Sequence, residues 1–157
     1  MKADSFAGPI ERLMTEDHAR LEALLASADG DEPGAYDAFR RGLLRHIAIE
    51  AKALLPYVRE RRFGDPWPVE AQLRTDHATL TKLIASAPTP QTFDRLRKVL
   101  ALHTALEEGP SGLYAACDGL AGRDVGLVLD LVNTFQENAL PSAIDAGSVS
   151  ISLSSTT

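Results

Sequence analysis

Apolar residues recur at intervals of three and four along most of the chain, which is the spacing of amphipathic α-helices. Runs rich in Gly and Pro interrupt this pattern, and several of them place a Pro where a helix begins. We predict five helices, the fourth disturbed at residues 109–112 and resuming through Cys117. They begin at Pro9, about Ala35, Pro66 (capped by Asp65), Pro90 (after Thr89) and about Asp124, and the second and fifth end near Arg61 and Asn138.

The breaks between the four long helices are short, which favours antiparallel neighbours. The pattern therefore predicts an all-α protein, an up-down four-helix bundle with a short additional C-terminal helix, over residues 1–140. Residues 141–157 differ, because eight of them are Ser or Thr. We expect a flexible tail there. The alternative is a short strand paired with a partner chain, since Val149, Ile151 and Leu153 alternate with Ser.

The chain contains an internal repeat. Residues 17–28 can be laid over residues 76–87 with eight of twelve positions identical. The second and fourth helices also match, since each carries His-x-x-x-Glu followed seven residues later by a Tyr. The sequence thus predicts two helical hairpins of similar design. The repeated positions include all four His of the protein.

Each His lies on the apolar stripe of its helix, near the middle, so that all four can share one level of a bundle. Steps of four put each Glu on the same helix face as its His. Buried imidazoles and carboxylates cost several kcal/mol each if unpaired, and metal coordination offsets that cost. These groups suit iron, manganese or zinc. The candidate metal ligands are His18, His46, Glu50, His77, His103 and Glu107.

One His on the first and third helices, and His-x-x-x-Glu on the second and fourth, resemble the hemerythrin-like (HHE cation-binding) domain family over about residues 10–118. The resemblance implies a non-haem centre of two iron ions, oxo- or hydroxo-bridged, with zinc or manganese as alternatives. It implies a protein that binds or senses O2 or a related small oxidant (nitric oxide, peroxide) or handles iron. By the same resemblance, His18 and His46 hold one iron, His77 and His103 hold the other, and Glu50 and Glu107 bridge them.

The resemblance is incomplete in three places. Oxygen-carrying members have a further His one turn before the third-helix His, where this chain has Leu73, so the second iron would keep a site for water or another oxygen ligand. Those carriers place the matching carboxylate five residues after the His, which makes Glu108 a rival of Glu107. The break at residues 109–112 follows the ligands directly, and could open an access path or shift the carboxylates.

Composition narrows the class of protein. A length of 157 residues suits one domain, and a net charge of −6 argues against nucleic acid as the partner. No apolar stretch is long enough for a membrane span, and one Cys cannot form an internal disulfide. We therefore expect a cytoplasmic monomer or homodimer. The resemblance implies a small diatomic or peroxide ligand as its partner.

Two other functions stay open. One is a mononuclear metalloenzyme on a DinB-like four-helix bundle with three His around one ion, against which the paired Glu residues argue. The other is a metal-free helical interaction module. Carriers, sensors, peroxide scavengers and iron-handling proteins share the same ligands, so the sequence does not decide whether the protein is an enzyme.

Several neighbours of these ligands also carry expectations. Asp17 and Asp76 point about 100° away from the adjacent His around the helix, which predicts exposure. Tyr57 and Tyr114 are expected to be core aromatics with a hydroxyl at the edge. The alternative is that they hydrogen-bond groups behind the ligands or border an oxygen pocket. Cys117 lies two heptads after a His and is expected to be a buried structural thiol, with a redox role as the alternative.

Overall fold

The computed structural model describes residues 7–137, and within that range all regular structure is helical. This confirms the all-α class. No helix in those residues is both long enough and apolar enough to cross a membrane. The predicted tail at 141–157, with its strand alternative, lies outside the described residues. The elements are α1 (Pro9–Asp29), α2 (Ala35–Ile49), a π-helical turn (Glu50–Leu54), α3 (Leu55–Arg61), α4 (Glu70–Ile84), α5 (Pro90–Glu107), α6 (Leu113–Ala121), a 3-10 turn (Gly122–Asp124) and α7 (Val125–Asn133).

Of the three helix starts predicted from a proline, two are observed and the third is not. α1 and α5 begin at Pro9 and Pro90, and the Thr89 hydroxyl oxygen accepts a hydrogen bond from the Thr92 N–H at 3.1 Å. The predicted start of the third helix at Pro66 is wrong, because α4 begins at Glu70. The reason is the second proline of the Pro-Trp-Pro run, since a residue that precedes proline is biased away from the helical region.

The predicted second helix is one continuous run of α2, the π-helical turn and α3. A π-helical turn holds more residues than an α-helical turn, so it displaces every later residue around the helix axis. Leu55 and Val58 consequently face the core and are buried, whereas Tyr57 is only half-buried. Pro56 lies two residues after the end of the turn. Its ring cannot donate a backbone hydrogen bond and crowds the preceding turn, which favours this local widening.

Four helix contacts close around a common interior. α1 packs on α2 and α4 on α5, and the two pairs meet through α1 with α5 and α2 with α4. α6 packs on α1, and its Asp118 carboxylate accepts hydrogen bonds from the Ile10 and Glu11 N–H groups at 2.9 and 3.0 Å. These bonds satisfy free N–H groups at the start of α1 and fix α6 in place.

The predicted fifth helix, about 124–138, is shorter in the structure. It corresponds to α7, Val125–Asn133, preceded by the 3-10 turn. As predicted, it packs on the other helices: Val128 and Val132 are buried, while Leu127 and Leu131 lie on its exposed side.

The apolar interior consists of two separate clusters. One, the α6-side cluster, lies at the start of α1, the end of the second helical run and the start of α4, together with α6 and α7. The other, the hairpin-side cluster, lies at the end of α1, the start of α2, the end of α4 and the start of α5. Along each long helix the His falls between the residues of these two clusters, and the two Glu lie one turn after a His, so a polar layer separates the clusters.

Candidate metal centre

The structure brings all six predicted ligands together in this polar layer. They form two groups in which one ligand atom from every member lies within 4.8 Å of the others. Glu50 and Glu107 belong to both groups. Five of the six residues are buried, and His18 is nearly so. The first group contains His18, His46, Glu50 and Glu107, and the second contains Glu50, His77, His103 and Glu107.

Glu107 stands out because both of its carboxylate oxygens are buried and have no hydrogen-bond partner among the described residues. Oε1 lies 3.3 Å from Nε2 of His18, and Oε2 lies 3.1 Å from Nε2 of His103. One oxygen therefore faces each group. A buried carboxylate without hydrogen bonds is strongly unfavourable unless a positive charge compensates it. The donors present therefore fit a cation beside each oxygen.

Glu50 faces the same two groups. Its Oε1 lies 3.1 Å from Nε2 of His77 and 3.5 Å from Nε2 of His46, while Oε2 accepts a hydrogen bond from the Tyr114 hydroxyl at 2.7 Å. Burial alone would raise the pKa of this carboxyl. The nearby imidazoles, His46 foremost, outweigh burial and hold the pKa well below its usual range. Glu50 is accordingly held as an anion between the imidazoles of the two groups.

Three of the four His donate a hydrogen bond from Nδ1, the ring nitrogen that points away from the other ligands, to a carboxylate. Nδ1 of His46 donates to Asp17 at 2.7 Å, and Nδ1 of His103 donates to Asp76 at 3.1 Å. The prediction that Asp17 and Asp76 are exposed is wrong, because each side chain is largely buried and reaches the neighbouring helix of its hairpin. Such bonds fix the ring and its tautomer, and leave Nε2 free to bind a metal.

Glu108 supplies the third of these carboxylates, to His18. Nδ1 of His18 donates to Oε1 of Glu108 at 2.7 Å. Glu108 belongs to neither of the two groups, and its side chain is 36% exposed whereas that of Glu107 is fully buried. Of the two rival carboxylates, the structure thus places Glu107 among the inward donors and Glu108 behind His18.

Two inward nitrogens of the first group face each other closely. Nε2 of His18 lies 3.0 Å from Nε2 of His46. Burial lowers the pKa of His46, but the carboxylates of Glu50 and Asp17 outweigh it and raise the pKa to about 9. Burial, together with the neighbouring charge of His46, lowers the pKa of His18. The pair therefore shares one positive charge, which a bound cation could supply instead.

Tyr114 is a core aromatic, as expected, and its hydroxyl also reaches the first group. Its buried hydroxyl oxygen lies 3.1 Å from Nε2 of His18, 3.3 Å from Nε2 of His46 and 2.7 Å from Oε2 of Glu50. Burial and the Glu50 charge raise the pKa of Tyr114 well above its ordinary value. Its repeat counterpart, Tyr57, instead accepts a hydrogen bond from Nε of Arg61 at 3.0 Å.

The break after α5 is what brings Tyr114 back to the ligands. Gly109 has a φ of +84°, a left-handed conformation that favours glycine, and the N–H of Gly112 donates to its carbonyl at 3.0 Å. This turn begins α6 beside the end of α5, with the backbone of Gly112 packed against the carbonyl of Glu107. Residues 109–112 of the break and Trp67 line one surface groove. A second groove, between α1 and α5, is lined by His18 and Glu108.

A Gly112→Ala substitution tests this close approach. Its Cβ would overlap the carbonyl group of Glu107, so we expect destabilisation by about 1–3 kcal/mol in denaturant unfolding. The matched control is Gly119→Ala in α6, where a Cβ meets nothing within 4 Å and should stabilise by up to about 1 kcal/mol. Equal effects of the two substitutions would contradict this account of the loop.

Cys117 lies in the α6-side cluster and is fully buried, as predicted. Burial raises the pKa of its thiol to about 12, with a further contribution from the charge of Asp118. The thiol is therefore neutral at physiological pH, which agrees with a structural role.

The fold and the site together define a class: an all-helical protein with buried His and Glu groups that could hold a metal ion. No protein-family model, curated protein or solved structure matches the chain.

Proposed function

We propose that this chain is a non-haem di-iron protein of the hemerythrin-like type, which binds or senses O2 or a related small oxidant (nitric oxide, peroxide) or handles iron. The observation that carries the proposal is Glu107, a buried carboxylate without hydrogen bonds whose two oxygens face two different His pairs. Bound iron would supply one-electron redox chemistry and affinity for small ligands.

The donor set supports two ions over one. Each group offers two imidazole nitrogens and shares both carboxylates, so each ion would have protein ligands from three of the four long helical runs. Two divalent ions carry a charge of +4 and the two carboxylates carry −2. The net charge of +2 favours an additional anionic bridge or ligand. Imidazole and carboxylate donors suit iron and also accept zinc or manganese. A three-His mononuclear site of the DinB-like kind needs neither shared carboxylate.

We further infer that the four long helices run in an up-down arrangement. The connections within the α1–α2 and α4–α5 hairpins are short, and the packing of α1 on α5 and α2 on α4 closes the ring. The six ligands then line the interior of the bundle, with an apolar cluster on either side of them. Those clusters exclude water, and Leu73, fully buried one turn before His77, offers no further donor to the second group.

The test is metal content together with optical response. The purified chain is loaded with ferrous iron without oxygen, its iron is counted, and its visible spectrum is recorded before and after reduction and with O2, peroxide and nitric oxide. We expect two iron ions per chain and a spectrum that changes with at least one of the three ligands. Fewer than about one iron per chain would overturn the proposal, and one zinc or nickel ion per chain would favour the mononuclear alternative.

A further inference from the structure

The hydroxyl of Tyr114 lies among the inward donors of the first group. It is within 3.3 Å of the inward nitrogens of both His18 and His46 and within hydrogen-bonding distance of Glu50. The phenol ring is fully buried in the α6-side cluster, so its oxygen is held in this position by packing. We propose that Tyr114 is a fifth protein ligand of the first metal position, in addition to the four residues of that group. This inference rests on the metal centre proposed above.

The spacing of the donors supports this assignment. At metal–donor distances of about 2.1 Å, adjacent donors of an octahedral ion lie about 3.0 Å apart. The separations that join Tyr114 to its three neighbours are 2.7, 3.1 and 3.3 Å. The two nitrogens of the group are themselves 3.0 Å apart, and His18 lies 3.3 Å from Glu107. The phenol oxygen therefore takes the same spacing as the other donors.

Ligation replaces the hydrogen bond from Tyr114 to Glu50. Tyr114 would lose its phenolic proton to solvent, and the resulting phenolate oxygen would bind ferric iron, whose charge would then face Glu50 in place of the phenol O–H. No electron moves in this step. An anionic oxygen is a hard donor and suits ferric iron, as the Tyr ligand of catalase haem illustrates.

With Tyr114 as a ligand, the two metal positions would differ in their protein ligands. The π-helical turn directs Tyr57, the counterpart of Tyr114 in the repeat, toward Arg61 on the surface. The second group has a buried hydrocarbon, Leu73, one turn before His77. The first position would therefore have five protein ligands against four at the second, and a small ligand from solution would bind at the second.

The experiment uses the full chain, loaded with ferrous iron, oxidised with ferricyanide and freed of excess reagent. We expect a visible tyrosinate-to-iron absorption band and resonance Raman ring modes that shift when the tyrosine rings are deuterated. Tyr114→Phe removes only one oxygen, so it should retain bound iron and lose the band and the ring modes completely. The control Tyr57→Phe should match the parent chain.

A second variant keeps the inference testable if Tyr114→Phe does not fold. The chain has three Tyr, so a Tyr36→Phe/Tyr57→Phe double variant leaves Tyr114 as the only source of ring modes, and they should persist unchanged. Iron-loaded parent chain without tyrosinate modes, or modes that survive Tyr114→Phe, would overturn this inference alone. Failure of the parent chain to bind iron would overturn the proposed function as well.

Discussion

The effect of Glu107→Gln on stability should have opposite signs in the metal-free and the metal-loaded protein. Without metal, the substitution removes a buried carboxylate that has no hydrogen bonds, so we expect the free energy of unfolding to rise by about 1–3 kcal/mol. With iron, it removes the anion that faces both groups, so we expect iron affinity to fall by at least about a thousandfold, or roughly 4 kcal/mol. Denaturant unfolding with and without iron, combined with iron titration, measures both effects.

The adjacent Glu108→Gln is the matched control. Its carboxylate lies behind His18 and is partly exposed, so the substitution leaves both groups complete. Loss of a carboxylate that orients a ligand His costs about 10–100-fold in metal affinity, and we expect two ions to bind still. If Glu108→Gln abolished binding and Glu107→Gln did not, Glu108 would be the ligand and the proposed assignment of Glu107 would be wrong.

Replacing His46 and His103 together by Leu should remove one nitrogen from each group and end iron binding. A tight ligand at a thousandfold excess over its Kd stabilises a protein by about 4 kcal/mol, so two ions contribute about 8 kcal/mol. At about 2–4 °C per kcal/mol, iron should raise the Tm of the parent chain by about 16–32 °C and leave that of the double variant unchanged.

The same variant separates the metal centre from a metal-free interaction module. Leu at two buried positions adds apolar contact in place of imidazole, so the metal-free double variant should be at least as stable as the metal-free parent. A parent chain whose Tm does not respond to iron, zinc or manganese would favour the module. A double variant that kept bound iron and its colour would contradict the ligand assignment.

The four His and Glu50 could be predicted as inward groups because helical spacing alone decides them, whereas Glu107 kept Glu108 as a rival. Steps of three and four place each His between apolar neighbours, and each Glu one turn later, whatever the details of the loops. The two starts at Pro9 and Pro90 follow from equally local rules. The supporting carboxylates could not be predicted in this way, since Asp17 and Asp76 act on the other helix of a hairpin. Their position beside a His in both copies of the repeat was the available signal.

The different roles of the two Tyr depend on irregular backbone. In the sequence, Tyr57 and Tyr114 are equivalent, each seven residues after a Glu. In the structure, the π-helical turn displaces Tyr57 outward, and the glycine turn at 109–112 brings Tyr114 back over the ligands. A proline inside a long predicted helix, Pro56, was the one sequence signal of the first irregularity.

The polar layer between the two apolar clusters has a consequence for how the chain unfolds. Among the described residues, the buried apolar side chains form two separate clusters, so cooperativity between the two ends of the bundle depends on the helices that pass through the layer and on the charges within it. Ligands from four helix runs meet there, and two ions that share Glu50 and Glu107 would couple the two ends directly. Metal occupancy would then decide whether the molecule melts as one unit or as two.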